Sequence, residues 1–248
     1  MAVHALRAGY ARSMAGLVVA VAQPSCTALD VAGNAQAHAQ AVRAAAARVV
    51  VFPEMSLTGY EFEAATISPD DPLLNPIVDA CAATGSVALV GAPVSGADGA
   101  ATRHIGILAI DGSGARVAYR KVWLGGAEAE SFEPGPAPAV LDVDGRRIGL
   151  AVCKDTGVPQ HAADTAALGI DGYVAGVLEF AEDAAVPGER SARIAADHGV
   201  WVAFASFAGA TGGGYDHAAG RSIIRGRNGS VLAEAGAAVG EIVRATVA

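Results

Sequence analysis

The chain has little lysine, little cysteine and few aromatic residues. Of its 248 residues two are lysine and three are cysteine, and aromatic residues make up 5%. Three cysteines without CxxC spacing predict neither a disulfide framework nor a zinc cluster, and no histidine pair stands at HExxH or another metal-ligand spacing. The sequence therefore predicts no metal site and no cofactor.

Charge is also scarce, and its balance is acidic. Charged residues account for 17% of the chain against 52% hydrophobic, and the formal net charge is −8. Because phosphate binding needs a basic face, this composition excludes a nucleic-acid partner. No apolar run approaches the ~20 residues of a membrane span, so no membrane partner is expected.

The N-terminus allows two interpretations. Two arginines precede the apolar run 15–22, whose end resembles a small-residue cleavage site, so a signal peptide is one alternative. We favour a buried strand over 17–23 and a cytoplasmic location, because the run is short and nothing else indicates an oxidising compartment. Residues 1–14 are then a loose extension with Met14 a possible start, and 15–248 form a single domain.

Apolar strand patterns alternate with helical patterns along the rest of the chain. Strands are predicted at 17–23, 48–52, 86–91, 103–111, 115–120, 139–143, 147–152, 172–175, 200–206, 220–225, 230–234 and 240–246. Helices are predicted at about 31–47, 72–84, 159–168 and 188–198. This mixture of βα units and hairpins predicts a layered α/β fold with two sheets and helices outside them.

Three reactive side chains stand where predicted strands end. Glu54 follows the apolar run 49–53, Lys121 stands at the exit of a hairpin, and Cys153 ends the run 148–152. The carboxyl ends of strands are where α/β sheets place their sites. The second lysine, Lys154, follows Cys153 directly.

Glutamate, lysine and cysteine are the parts of a thiol-based amide hydrolase. A thiolate is a strong nucleophile, but a free thiol has a pKa near ~8.5 and needs help to ionise. Lys121 would stabilise the thiolate and the oxyanion, while Glu54 would move the proton from the thiol to the leaving amine. Each of these three residues, considered alone, can also be interpreted as having no catalytic role. Cys153 could be a small buried hydrophobe, as Cys26 and Cys81 are taken to be, Glu54 a loop acid, and Lys121 a solvated edge residue.

At these positions the chain resembles the nitrilase, or carbon–nitrogen hydrolase, superfamily. The resemblance runs from about Leu17 to Ala245 and rests on motifs in the expected order. They are Phe52-Pro53-Glu54, Leu57-Thr58-Gly59-Tyr60, Tyr119-Arg120-Lys121-Val122-Trp123-Leu124 and Gly149-Leu150-Ala151-Val152-Cys153-Lys154-Asp155.

The resemblance implies a four-layer α-β-β-α sandwich that pairs into homodimers, with Glu54, Lys121 and Cys153 as the catalytic triad. A second acid is usual upstream of a Phe-x-Pro-Gly run, which here is 132–135. That position implies Glu128, with Glu130 as the weaker candidate. The resemblance also implies the backbone N–H of Lys154 as the second oxyanion donor.

The substrate is less well specified. Tyr60 could line the pocket or pack within its loop, Lys154 could bind a carboxylate or face solvent, and Glu179 could meet a cationic substrate group. We expect a small linear amide or N-carbamoyl compound, cleaved through a Cys153 thioester with release of ammonia. The alternatives are a nitrilase, a non-catalytic binding protein on the same fold, and the glutaminase part of an amide-transfer synthetase.

Overall fold

Two six-stranded sheets face each other, and helices cover their outer faces, in a computed structural model that describes residues 16–97 and 101–248. Residues 1–14, predicted to be a loose extension, lie outside the described residues. The layered α/β prediction and the four-layer sandwich are confirmed. None of the helices described is both long enough and apolar enough to cross a membrane.

The elements follow the predicted alternation, with bounds that shift by a few residues. The strands are β1 Leu17–Ala22, β2 Val49–Val51, β3 Val87–Ser95, β4 Arg103–Asp111, β5 Gly114–Arg120, β6 Ala139–Val143, β7 Arg146–Val152, β8 Gly172–Val177, β9 Trp201–Ser206, β10 Ala208–Gly209, β11 Ala218–Ala219, β12 Ile223–Arg225, β13 Val231–Glu234 and β14 Ile242–Val247. The helices are α1 Val31–Ala45, α2 Asn75–Thr84, α3 Lys154–Gly157, α4 Pro159–Ala167 and α5 Val186–His198.

The two sheets have the same arrangement of parallel and antiparallel strands. The first has the order β14-β1-β2-β3-β4-β5 and the second β13-β12-β9-β8-β7-β6. Three neighbouring strands in each are parallel, β1-β2-β3 and β7-β8-β9, and the outer strands are antiparallel. Because the N-terminal run 17–22 lies between β2 and β14, its interpretation as a buried strand is confirmed.

Strand periodicity divides the core into layers. Val19 and Val21 belong to the cluster between the sheets, whereas Ala20 and Ala22 pack outward under α1 and α2. A third cluster fills the space between the second sheet and helices α4 and α5. Since both faces of the central strands are buried, these strands are apolar throughout rather than alternating. The ends of β2 and β7 thereby come to lie beside the inter-sheet core.

Candidate active site

Cys153 stands in a strained turn between β7 and α3. Its backbone has φ 37° and ψ −93°, in a region that side-chain-bearing residues rarely adopt. The turn is held by a hydrogen bond from Cys153 N–H to the carbonyl oxygen of Gly176, 2.9 Å long. The Sγ atom lies 3.4 Å from the carbonyl oxygen of Leu178, at the end of β8. This geometry turns the thiol away from the strand and toward the neighbouring loop.

Glu54 lies in the loop that follows β2 and is almost completely buried, with 1% of its surface exposed. The next residue, Met55, has φ 50°, so this turn also contains a residue in the left-handed region. One carboxylate oxygen of Glu54, Oε1, accepts a hydrogen bond from Lys121. The other, Oε2, is buried and has no hydrogen-bond partner among the described residues. A free buried acceptor is costly for folding and is available for a reacting proton.

Two glycines allow the Glu54 segment to pass between the sheets. A Cβ on Gly91 of β3 would lie 2.3 Å from the Pro53 carbonyl oxygen. A Cβ on Gly176 of β8 would lie 2.6 Å from the Phe52 carbonyl oxygen and 2.7 Å from Glu54 N. Neither distance is open to a real side chain, so glycine is required at both positions by close backbone approach.

Lys121 is fully buried at the exit of β5. Its Nζ atom donates to Glu54 Oε1 at 2.7 Å and to Glu128 Oε1 at 2.6 Å. Its own backbone is held on both sides, because its N–H donates to Ile105 and its carbonyl accepts from Gly135. Gly135 belongs to the Phe-x-Pro-Gly run, so this run helps to position the lysine.

Glu128 is the acid that reaches the cluster from the loop after β5. It is buried in a short 3₁₀ turn, where Oε1 accepts from Lys121 and from the hydroxyl of Tyr60 at 2.6 Å, and Oε2 accepts from the Gly125 N–H. Glu130 and Glu133 are exposed. Of the three acids in this segment, the structure therefore brings only Glu128 to Lys121.

The ionisable groups in the cluster shift one another's pKa values. Burial raises the pKa of Glu54 to about 7, although Lys121 opposes that rise. Burial alone would lower the pKa of Lys121, but the neighbouring Glu54, Cys153 and Glu128 raise it above its ordinary value. For Glu128, burial is outweighed by Lys121 and by hydrogen bonds to the carboxylate, and its pKa is lowered. Near neutral pH the lysine and Glu128 are charged, and Glu54 can take up or release a proton.

Burial raises the pKa of the Cys153 thiol well above its ordinary value, with Glu54 adding to the rise and Lys121 opposing it. The thiol is therefore protonated at rest. Ionising it requires a nearby acceptor for the proton, and Glu54 is close enough for the two groups to affect each other's pKa. The structure thus brings Glu54, Lys121, Glu128 and Cys153 into one electrostatically linked cluster.

Asp155 connects the cysteine turn to the lysine segment. Its Oδ2 accepts from Val152 N at 2.9 Å and from the Tyr119 hydroxyl at 2.8 Å, and its Oδ1 accepts from Trp123 N at 2.8 Å. Buried His161 lies 2.9 Å from the Tyr119 hydroxyl. This network joins the end of β7 in one sheet to the end of β5 in the other.

The predicted substrate-binding residues occupy three different environments. Tyr60 contacts Glu128 and is part of the cluster. The Lys154 side chain is exposed, whereas its backbone N–H opens α3 and has no acceptor one turn earlier in that helix. Glu179 is half-buried, and its Oε1 is 2.8 Å from Arg190 Nη1.

Two aromatic residues near Tyr60, namely Tyr215 and Phe180, were not predicted from the sequence to lie at the site. The ring of Tyr215 lies edge-on to Tyr60, with centroids 5.3 Å apart, and stacks on Phe180 at 4.1 Å. Burial raises the pKa of Tyr215 to about 12, and Cys153, Glu54, Glu179 and Glu128 all contribute. Tyr215 therefore faces the cluster from the glycine-rich loop that precedes it.

The other two cysteines contact backbone carbonyl oxygens, Cys26 Sγ that of Ser56 at 3.8 Å and Cys81 Sγ that of Ile110 at 3.4 Å. Burial raises the pKa of both Cys26 and Cys81 to about 11. Within residues 16–97 and 101–248, no group of three or more His, Cys, Asp and Glu side chains is arranged to hold a metal ion.

Comparison with known proteins identifies relatives. The profile of the carbon–nitrogen hydrolase family matches residues 18–248. A protein of Pseudomonas protegens described as the hydrolase in the pqqF 5′ region is 32% identical over 152 residues, which is 58% of this chain and 53% of that protein. The match therefore spans about half the length of that curated relative.

The fold is similar to that of an amidase from Nesterenkonia sp. AN1. A cysteine-to-alanine mutant of that amidase, described as belonging to the nitrilase superfamily, has a TM-score of 0.82 at 24% identity, covering 96% of this chain and 93% of the other. A glutamate-to-glutamine mutant, with the acetamide moiety of fluoroacetamide added to its active-site cysteine, gives the same TM-score and coverage at 25% identity. A complex of the amidase with butyramide also matches with a TM-score of 0.82 at 25% identity, covering 96% and 93% of the two chains.

Proposed function

Because the chain belongs to the carbon–nitrogen hydrolase family, we propose that it is a thiol-dependent amidase with Cys153 as the nucleophile. Its substrate is a small linear amide or N-carbamoyl compound, and it releases ammonia. The main support for the proposal is that the two carboxylate oxygens of Glu54 have different surroundings. Lys121 donates a hydrogen bond to Oε1, whereas buried Oε2 has no hydrogen-bond partner among the described residues. An acid with one oxygen fixed and the other free is suited to proton transfer.

The reaction begins with transfer of the thiol proton from Cys153 to Glu54. The sulfur attacks the amide carbonyl carbon, and the negative charge that forms on the carbonyl oxygen is stabilised by Lys121 Nζ and the Lys154 backbone N–H. The C–N bond then breaks as Glu54 returns the proton to nitrogen. Ammonia leaves, and the acyl group remains on sulfur as a thioester.

Hydrolysis of the thioester uses the same groups again. Glu54 takes a proton from water, the hydroxide oxygen attacks the thioester carbonyl, and the C–S bond breaks. The proton on Glu54 restores the Cys153 thiol, and the acid product leaves. The raised pKa of Glu54, about 7, suits a group that must both accept and donate a proton near neutral pH.

Glu128 is proposed to position the lysine, and Tyr60 to complete the pocket beside it. The contact of Glu128 with Lys121 keeps the ammonium charged and fixes its position between the two acids. Since the ammonium is already in place before charge develops on the substrate, little reorganisation is needed in the transition state.

The test is ammonia release from a panel that contains acetamide, butyramide, N-carbamoyl compounds and nitriles, with Cys153→Ala run in parallel. We expect the wild type alone to release ammonia, with amides as the best class. A preference for nitriles would indicate a nitrilase instead. No turnover of any compound, together with no acyl adduct on Cys153 by intact mass, would overturn the proposal in favour of a binding protein.

The homodimer, the cytoplasmic location and the single domain over 15–248 expected from the sequence stay predictions. Light scattering on the purified chain would check the first of these.

A further inference from the structure

An ion pair lies at the edge of the candidate active site. Glu179 follows Leu178, whose carbonyl oxygen is 3.4 Å from Cys153 Sγ. The Glu179 carboxylate accepts from Arg190 Nη1 at 2.8 Å. Its side chain is 17% exposed and that of Arg190 is 26% exposed, so both groups are near solvent without being fully hydrated.

Arg190 also contacts the turn that carries the nucleophile. Its guanidinium group lies against Gly157, the last residue of α3, where an added Cβ would be 3.3 Å from Arg190 Cζ. Helix α3 begins directly after Cys153. The pair therefore joins the residue after Leu178 to the end of α3, the helix that begins directly after Cys153.

The carboxylates that border the site outnumber the cations. Glu54, Glu128 and Glu179 stand against two cations, Lys121 and Arg190. Both cations are already bound to carboxylates. Glu179 acts on the reacting group from its position, because it raises the pKa of the Cys153 thiol.

We propose that Glu179, by occupying Arg190, makes the site selective for uncharged amides and rejects amides that carry a carboxylate. This inference rests on the proposed amidase function and narrows its substrate class. A substrate carboxylate entering beside Glu179 would meet a like charge, while the charge of the guanidinium that could attract it is already paired with Glu179. In a partly buried site, one such charge near the substrate is worth about tenfold or more in selectivity.

The experiment compares kcat/KM for butyramide with that for succinamate, in which a carboxylate replaces the terminal methyl group. The wild type should favour butyramide by about tenfold or more. Glu179→Gln removes the like charge, so it should reduce this preference by about tenfold. Arg190→Gln leaves Glu179 without its cation and should increase the preference. Opposite changes from the two partners would not follow from a loss of folding.

Glu189→Gln is the matched control, because it removes the same charge from an exposed position next to Arg190. Its butyramide-to-succinamate ratio should equal that of the wild type. Added salt should weaken the preference of the wild type, since partly exposed charges are screened.

A wild type that prefers succinamate, or a ratio that neither Glu179→Gln nor Arg190→Gln changes, would overturn this inference and leave the amidase function standing. Absence of ammonia release from any amide would instead overturn the proposed function, and this inference with it.

Discussion

The loop that carries Glu54 and the turn that carries Cys153 each position a reactive side chain, but they are held by different contacts. Each follows a central parallel strand, and each contains a non-glycine residue with positive φ, Met55 at 50° and Cys153 at 37°. The Glu54 loop is positioned by backbone packing, because Gly91 and Gly176 let it lie directly against both sheets. The cysteine turn has a backbone hydrogen bond to Gly176 and is held in addition by a side chain, Asp155.

The two regions also differ in the buried side chains that hold them in place. Buried His38, on α1, contacts the Ser56 hydroxyl at 2.8 Å and the Asn34 carbonyl oxygen at 2.6 Å, so it ties the Glu54 loop to its own half of the molecule. Asp155 instead reaches Tyr119 in the other sheet and the backbone of Trp123 in the loop that follows it. The Glu54 loop is thus tied to α1 and packed against both sheets, whereas the thiol is held by contacts that also orient the lysine segment.

The largest effect is expected from removing the group that the two regions share. Lys121→Ala leaves Glu54 and Glu128 as neighbouring buried acids and removes the proposed oxyanion donor. We expect kcat to fall by about two to three orders of magnitude, measured by ammonia release. Circular dichroism should report a folded protein. Arg116→Ala, which removes an exposed cation, is the control, and near wild-type turnover of Lys121→Ala would contradict the role.

A smaller loss should follow from disturbing the backbone that positions Glu54. Gly176→Ala places a Cβ against Phe52 and Glu54, and the resulting displacement should lower kcat by about a hundredfold. Gly126→Ala is the matched control, because a Cβ there would have no atom of the described residues within 4 Å. Equal kcat values for the two variants would show that the close approach does not position the acid.

Breaking the contacts of Asp155 should have an intermediate effect on both stability and activity. An asparagine has one acceptor oxygen where the carboxylate accepts from three donors, so Asp155→Asn should lower the free energy of unfolding by about 2 kcal/mol. We expect kcat to fall by roughly tenfold with little change in KM, because the fault lies in positioning rather than binding. Tyr119→Phe removes one of these hydrogen bonds and should show a smaller loss of both. A rise in KM with unchanged kcat would contradict a positioning role.

The smallest effect on activity at neutral pH is expected from His38. Burial lowers the pKa of His38 to about 4, so the unfolded chain binds a proton more readily than the folded one. The contribution of His38 to stability should therefore fall as the pH drops from about 6.5 toward 4, by about 2 kcal/mol between pH 7 and pH 5. Glu54, whose raised pKa acts in the opposite direction, is present in both the wild type and His38→Gln, so the difference between their urea unfolding free energies at the two pH values measures the His38 contribution. Equal pH dependence in the two proteins would place the titrating group elsewhere.

Much of the fold could be predicted because strands and helices leave local patterns. The run 240–246 was predicted as a strand, but its partner could not be, because β14 pairs with β1 from the opposite end of the chain. The short α3 helix was missed for a different reason. It is held by the strained turn at Cys153 and by contacts of Asp155 rather than by a helical pattern.

In the site, too, some residues could be identified from local sequence patterns and others could not. Glu54, Lys121 and Cys153 could be singled out because each stands where a predicted strand ends, and the structure brings them together. The pairing of Glu179 with Arg190 depends on how α5 folds back beside the end of β8, and the requirement for Gly176 arises only when distant segments pack. His161 has no partner at a useful sequence spacing, because its partners are Tyr119 on β5 and Tyr173 on β8.

The central claim is that Glu54 takes the proton of the Cys153 thiol, and the rate of Cys153 alkylation by iodoacetamide against pH tests it most directly. Peptide mass spectrometry would follow Cys153 and Cys26 in the same sample. With the pKa of Glu54 at about 7, the Cys153 rate should rise through that pH as the carboxylate forms, exceed the Cys26 rate, and be lost in Glu54→Gln. Equal rates at the two cysteines, or a Cys153 rate that Glu54→Gln does not change, would contradict the account.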